Sequence, residues 1–362
     1  MGILGRGPTL PERPTRRDRR RQRARPRPSS AVRRDDERRA QAILLIAIGL
    51  VAVVVVGIGV FGYCETNVKP KGVSVIRVGD RAFDMGYMER RLRYEIHNPI
   101  SDPQVLANVN SAVATALQDV TNGELDRRGA AELGVSVSED EIDAEIRLRL
   151  RVPETADTGV FAEAYRNEVL QSGLHPDEYR EVVAARLLEV KLRQHFRDQI
   201  PATTEQVRLR DIRVKTQAEA QKVLERLQAG EDFAALVAEL SLDTTTKDKG
   251  GEMDWQPRGG MPPEVESAVF SLEVGQLSGP VYQNQDGAYY LYQVLEKAAD
   301  KEVTPDQQKQ IEDQMLTNWR LGLVQQFPVV YADGDTARFQ QQINQLGQLA
   351  TSEGVGAASG QQ

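Results

Sequence analysis

Residues 227–255, LQAGEDFAALVAELSLDTTTKDKGGEMDW, place a short amphipathic segment, a polar loop and a pair of glycines in immediate succession. Asp232 can cap a helix that carries Phe233, Leu236, Val237 and Leu240 on one stripe. Just upstream, Thr216 and Glu219 form a capping box before a second helix, with Ala220, Val223, Leu224 and Leu227 on one face and Gly230 ending it. Residues 207–214 before it read as a strand. Downstream, the loop KGGEMDWQPRGGM leads to a short helix over 262–272 and a turn at Gly275. Strands over 281–282 and 289–295 then flank a turn at 284–287. The order strand, helix, helix, helix, strand, strand predicts an α+β unit of roughly 90 residues with an antiparallel sheet.

The flanks of this unit read as helical. Residues 73–78 alternate up to a Gly79-Asp80 turn as a small hairpin, and Asp84 can cap a helix running to about His97. Asp102-Pro103 is expected to open a helix that uses Val105, Val109, Ala112, Ala116 and Val120. Ser138 and Glu141 form a capping box ahead of Ile142, Ile146 and Leu150, and 176–200 carries the stripe Tyr179, Val183, Leu187, Val190 and Leu192. A last helix is expected over 304–327, with Ile311, Met315, Trp319 and Leu323 in register. The Gln- and Gly/Ser-rich end, 340–362, reads as a flexible tail.

Charge divides the chain. Residues 1–41 hold 14 Arg and 5 acidic residues, a formal +9, which leaves −16 on the other 321 residues of a chain whose total is −7. Residues 42–63, AILLIAIGLVAVVVVGIGVFGY, are 22 residues without a charge. As a helix they would be about 33 Å long, enough for a hydrocarbon core of ~30 Å. The Arg-rich side is retained in the cytoplasm, so this reads as a single transmembrane helix with a disordered cytoplasmic tail and everything after Cys64 outside. The long leader and the absence of a small-x-small site argue against a cleaved signal peptide, and Tyr63 before Cys64 argues against a lipid-modified cysteine. The same arginines are read as a topogenic signal and not as a nucleic-acid-binding arm.

The single Cys64 excludes an internal disulfide. His97, His175 and His195 stand too far apart for a zinc site, so no metal and no cofactor are expected.

On the stretches RDIRVKTQAEA, LQAGEDFAALVAELSLDTTTKDKGGEMDW, GGMPPEVESAVFSLEVGQLSGPV and DGAYYLYQVLE, the unit resembles the parvulin (PpiC-type) family of peptidyl-prolyl cis-trans isomerases. ELGVSVSEDEID, QSGLHPDEYREVV and the helix around Trp319 resemble the helical module of the SurA, PrsA and PpiD group of extracytoplasmic foldases. The resemblance implies one transmembrane helix, an all-helical SurA-like chaperone module over 73–206, a parvulin-like α+β domain over 207–299, and a helix over 300–330 that packs back on the chaperone module.

It also implies a site. The family's prolyl pocket corresponds to Met253, Met261 and Val265, the last having no ring where the family has an aromatic. The family's Cys or Asp corresponds to Asp243, and its two His positions to Asp211 and to Tyr289 or Tyr290, depending on a one-residue gap. Residues 207–299 contain no His, so the usual His pair is replaced by groups that hydrogen-bond differently. Asp243 also suits a loop cap, and the two methionines suit ordinary core filling. The expected function is prolyl isomerisation of unfolded or newly exported polypeptides at the bacterial cell (inner) membrane. The alternative is a non-catalytic holdase whose degenerate parvulin domain only binds extended clients. A homodimer through the helical module is left open.

Overall fold

The computed structural model describes residues 73–97, 108–284 and 286–353, and residues 71–362 fall in one compact unit. The Arg-rich segment 1–41 and the apolar run 42–63 lie outside the described residues. Among the described residues no helix is long and apolar enough to cross a membrane.

The isomerase-like part is built on a four-stranded antiparallel sheet. Its strands are β3 (Thr203–Val214), β4 (Gln256–Pro257), β5 (Val281–Gln283) and β6 (Ala288–Glu302), in the spatial order β4-β3-β6-β5. The long pair β3–β6 sets the register, with Asp211 opposite Tyr292, Ile212 opposite Leu291 and Arg213 opposite Tyr290. Because side chains alternate across a strand, this register separates two faces. Ile212, Val214, Tyr289 and Leu291 pack with the helices Gln217–Gln228 and Phe233–Leu240, whereas Leu209, Tyr290, Tyr292 and Val294 pack with the helix Pro263–Phe270. The Thr216–Glu219 capping box and the Asp232 cap form as read from the sequence.

In chain order the helices are α1 (Met85–His97), α2 (Val109–Gly129), α3 (Glu139–Arg149), α4 (Thr158–Ser172), α5 (Pro176–Arg197), α6 (Gln217–Gln228), α7 (Phe233–Leu240), α8 (Pro263–Phe270), α9 (Pro305–Gln326) and α10 (Thr336–Ser352). Strands β1 (Ser74–Val78) and β2 (Arg81–Asp84) form the expected hairpin, and Asp84 accepts from the Tyr87 amide to start α1. The module is not purely helical. A third strand, β7 (Val329–Tyr331), pairs antiparallel with β1 and makes the sheet β2-β1-β7.

Three further expectations need correction, and one helix was missed. Asp102 and Pro103 lie outside the described residues, and α2 is instead opened by Asn108, whose side chain accepts from the Ser111 amide. Val190 is 64% exposed. The buried face of α5 turns along its length, from the cluster of Tyr94, Ile146 and Val169 at Tyr179–Val183 to Leu316 and Ala130 at Leu188–Phe196, and Val190 falls off the second face. Helix α4, capped by Asp157, was not anticipated. Finally, of the segment read as a flexible tail over 340–362, residues 340–352 belong to α10, where Gln342, Leu346 and Ala350 are buried and Gln342 donates to the Ser74 carbonyl, and residues 354–362 lie outside the described residues; its polar composition hides a narrow apolar stripe.

Helix α9 joins the two parts. It begins with a Thr304–Gln307 capping box beside the sheet and ends with Leu323 against the core of α1 and α2. There Gly129 at the end of α2 lets the helices approach closely, since a Cβ at that position would lie 2.6 Å from Leu323 and 2.7 Å from Trp319. Gly129→Val is therefore expected to lower stability by about 1–3 kcal/mol through overpacking, measured by urea unfolding. An unchanged midpoint would mean that the two helices separate without cost.

Candidate functional site: an acidic and aromatic face of the four-stranded sheet

The site lies on the β3–β6 face covered by α8. Asp211 projects from β3 and is 2% exposed. Its Oδ1 accepts from the Thr246 hydroxyl at 2.8 Å, and its amide donates to the Gly251 carbonyl at 2.9 Å. The glycine pair explains how the loop reaches this point. Gly250 and Gly251 have φ of +66° and +85°, a region that L side chains rarely enter, and a Cβ on Gly251 would sit 2.4 Å from the Asp211 carbonyl oxygen. The polar loop between α7 and the glycines is thereby pressed onto the strand, and it brings Thr246 and Asp243 with it.

Asp243 is half-buried. Its Oδ1 accepts from the Thr245 amide at 2.8 Å and from the Thr245 hydroxyl at 2.5 Å, so its carboxylate caps its own loop. Burial pushes its pKa up, but these hydrogen bonds and the charge of Arg213 outweigh that and hold it below the usual value. Asp211 behaves oppositely. Burial pushes it up to about 6, against the Thr246 hydrogen bond and with help from the charge of Asp243. The two groups form an acid pair in which Asp243 is the anion and Asp211 keeps the proton longer.

The register decides between the two tyrosines on geometry. Tyr290 shares the face of Asp211, whereas Tyr289 lies on the opposite face, with its ring 5.0 Å from that of Tyr282. Tyr290 donates its hydroxyl to Asp286, which also pairs with Arg213 at 3.1 Å, so it is not turned to Asp243. Burial and the Asp286 contact raise its pKa, and the hydroxyl stays protonated. Tyr292 stacks on Tyr290, with centroids 5.8 Å apart and planes 5° apart, and its hydroxyl accepts from Gln283.

Met261 and Val265 are 5% and 2% exposed and pack with Tyr290 and Tyr292, while Met253 is partly buried at the edge of the same cluster. Sequence reasoning missed Phe270 and Tyr292, which bring rings to the cluster where Val265 has none, and Thr246, which binds Asp211. The spacing Val265, Val269, Phe270 on one helix was a usable signal for the first. Among the described residues no group of His, Cys, Asp or Glu is arranged to hold a metal ion.

Residues 202–293, which hold the four-stranded antiparallel sheet with two helices on one face and a short helix on the other, match the PPIC-type PPIase domain. Residues 34–193 match the SurA-like N-terminal domain. Both matches agree with the resemblance read from the sequence. It is similar to a foldase protein PrsA of Caldanaerobacter subterraneus subsp. tengcongensis, 33% identical over 152 residues, which are 42% of this chain and 47% of that protein. A foldase protein PrsA 4 of Bacillus cereus is 32% identical over 127 residues, 35% of this chain and 41% of its own length. The chain therefore spans less than half the length of these curated relatives. The crystal structure of peptidylprolyl isomerase PrsA from Bacillus anthracis aligns with a TM-score of 0.36 at 18% identity, covering 65% of this chain and 97% of that one.

The shifted acid has a consequence for stability. The pKa of Asp211 lies near 6 in the folded chain against 3.8 as the ordinary value, so the folded state holds the proton longer. Its contribution is complete below about pH 4 and is lost as pH rises through about 6, a change of up to roughly 3 kcal/mol. Asp211→Asn is expected to remove this dependence and to gain stability relative to the parent between pH 4.5 and 7.5 in urea titrations. Parallel pH profiles for the two proteins would refute the assignment.

Proposed function

We propose that the chain is a peptidyl-prolyl cis-trans isomerase and foldase of exported proteins, held at the bacterial cell membrane by residues 42–63 with the described part outside. The observation that carries the isomerase reading is the match of residues 202–293 to the PPIC-type PPIase domain, on a sheet face where Asp211, Asp243 and Tyr290 stand beside the Met261–Val265 cluster. The names of the PrsA relatives support the foldase reading, and the charge asymmetry around the apolar run supports the anchor. Unfolded or newly exported polypeptides are then the partners.

The chemistry asks for no bond to the substrate. Turning an X–Pro amide breaks its partial double bond at a cost of about 18–20 kcal/mol. A site that binds the twisted amide more tightly than either planar form lowers this barrier. In this reading the proline ring enters from the Met253 edge and displaces Met253 from the cluster of Met261, Val265 and Phe270. Twisting ends the conjugation and localises the lone pair on the prolyl nitrogen, which then accepts from Asp211 while that carboxyl holds its proton, and the anion of Asp243 steadies that proton. Tyr290 and Tyr292 form the apolar floor that excludes water.

A soluble version covering residues 72–362 is expected to accelerate cis-to-trans conversion of a proline tetrapeptide. Asp243→Ala is expected to reduce kcat/KM roughly tenfold, about 1.4 kcal/mol of barrier. Folded protein that gives no acceleration over buffer would reject the isomerase reading, and an Asp243→Ala variant as active as the parent would clear Asp243 of the chemistry.

A second reading is favoured by the way the polar groups are committed: Tyr290 to Asp286, Asp243 to Thr245, with Met261 and Val265 closed into the core. Under it the domain binds extended clients without turning them. The same protein would then suppress aggregation of a denatured client while showing no isomerase activity, as read by light scattering beside the peptide assay; no suppression would dismiss it.

A further inference from the structure

Met253 and Met261 bracket a segment, 253–261, that contains β4 and the turn leading into α8. The sheet holds its first part. The Met253 amide donates to the Leu209 carbonyl at 2.8 Å, Gln256 and Pro257 pair with Val207 and Gln206, and the Arg258 amide donates to the Glu205 carbonyl at 2.9 Å. The turn that follows is closed by the Gly260 amide on the Pro257 carbonyl at 3.1 Å, and α9 packs against it. Gln307, Gln310 and Ile311 stand three and four residues apart and so share one face of that helix. Gln307 donates to the Trp255 carbonyl at 2.8 Å. Gln310 donates twice, to the Gly260 carbonyl at 2.9 Å and to the Gln256 side-chain oxygen at 3.0 Å.

Two glycines let the turn come this close. Gly259 has φ of +88°, and a Cβ on Gly260 would lie 3.0 Å from Pro257 and 3.2 Å from Gln310. The carbonyl that Gln310 holds belongs to the peptide unit whose nitrogen is that of Met261. That unit is planar, so fixing its oxygen fixes the direction in which Met261 leaves the turn. Methionine needs such help, because an unbranched thioether with three rotatable bonds does not lock its own position. At the far end of α8, Lys297 donates to the carbonyls of Phe270 and Leu272 at 2.8 and 2.9 Å. The element that carries Val265 and Phe270 is thus tied down on both sides, by β6 after it and by α9 before it.

We propose that Gln310 is a positioning residue for the prolyl pocket: through the Gly260 carbonyl it holds Met261 against Val265 and Phe270, and thereby sets how tightly the site takes a proline ring. This rests on the pocket assigned under the isomerase reading. The pocket grips the ring in its planar and twisted forms alike, whereas the turning amide is met by Asp211 and Asp243. Loss of the Gln310 hydrogen bonds therefore weakens ground state and transition state together, which shows in KM and not in kcat.

The experiment uses the full chain in lipid nanodiscs, with empty nanodiscs subtracted. Gln310→Met removes the donor and Gln310→Lys returns one; Gln, Met and Lys form helices about equally well, so α9 is kept in both. For a proline tetrapeptide, Gln310→Met is expected to raise KM about fivefold with kcat within about twofold of the parent, and Gln310→Lys to bring KM back within about twofold. A variant that merely unfolds in part loses kcat at unchanged KM. A second readout needs no turnover. In chains carrying methyl-labelled methionine, the Met261 resonance, assigned with Met261→Leu, is expected to shift in Gln310→Met and to return in Gln310→Lys. An unmoved Met261 resonance, an unchanged KM or a loss confined to kcat would each overturn the proposal. A parent that turns over no peptide would reject the isomerase reading alone. The Met261 resonance and the dissociation constant of the same peptide then decide the role of Gln310, an unchanged constant in Gln310→Met overturning it and a rise of about fivefold supporting it.

Discussion

The architecture turns on one helix having to satisfy two different neighbours. At its start α9 meets the four-stranded sheet through an amide pair: Gln307 donates to Gln206 at 2.9 Å and to the Trp255 carbonyl at 2.8 Å, and Gln206 donates back at 3.2 Å. Midway, Glu312 has a side chain 2% exposed and is held between Arg193 and Arg197 of α5. Near the end, Arg320 binds Asp126 through two hydrogen bonds of 2.8 and 2.6 Å, with the Asp126 side chain 1% exposed. Gln206, Gln307, Glu312 and Asp126 have left water and would be expensive to leave without their partners. The helix therefore cannot slide or turn to please one neighbour without stranding charge at the other, and this fixes where the sheet stands relative to the helical part.

The same logic shapes the acidic face. The loop carrying Asp243 has no long apolar side chain to hold it on the sheet; it is held by backbone contact at Gly251 and by the Thr246 hydroxyl on Asp211. A buried carboxyl thus has two roles, anchoring a loop and standing beside a second carboxylate. The environment separates the pair by pushing one pKa up and pulling the other down, the arrangement from which distinct proton donors and acceptors arise. Where a histidine pair would give two rings of similar basicity, this face offers two carboxyls that their surroundings make unequal.

Much of this was legible before any coordinate. Capping boxes at Ser138 and Thr216 mark helix starts that the structure keeps, because an N-cap depends on neighbours three residues away. The order of elements in the α+β unit, apart from the two-residue strand β4, followed from its turn residues and short apolar stripes. What escaped depends on distant partners. β7 is three residues long and becomes a strand only because β1 offers it an edge, and α10 looks like a polar tail until Leu346 and Ala350 meet the core of α1 and α2. At the site, residue types pointed to Asp243 and Asp211, but whether Tyr289 or Tyr290 joins them is a matter of strand register, and whether a hydroxyl faces Asp243 or Asp286 is a matter of rotamer. Neither is written in local pattern.

The antiparallel contact of β1 with β7 brings together segments some 250 residues apart, Arg77 opposite Val330, with the whole four-stranded unit lying between them in the chain. The helical part is thus made from both ends of the described sequence, and the sheet-bearing unit is an insertion within it. For a chain delivered from its amino end, the β1–β2 hairpin and the early helices must wait with apolar surface uncovered until α9, β7 and α10 have emerged. Long-range closure of this kind is slow. The inserted unit, whose contacts are almost all its own, can finish first.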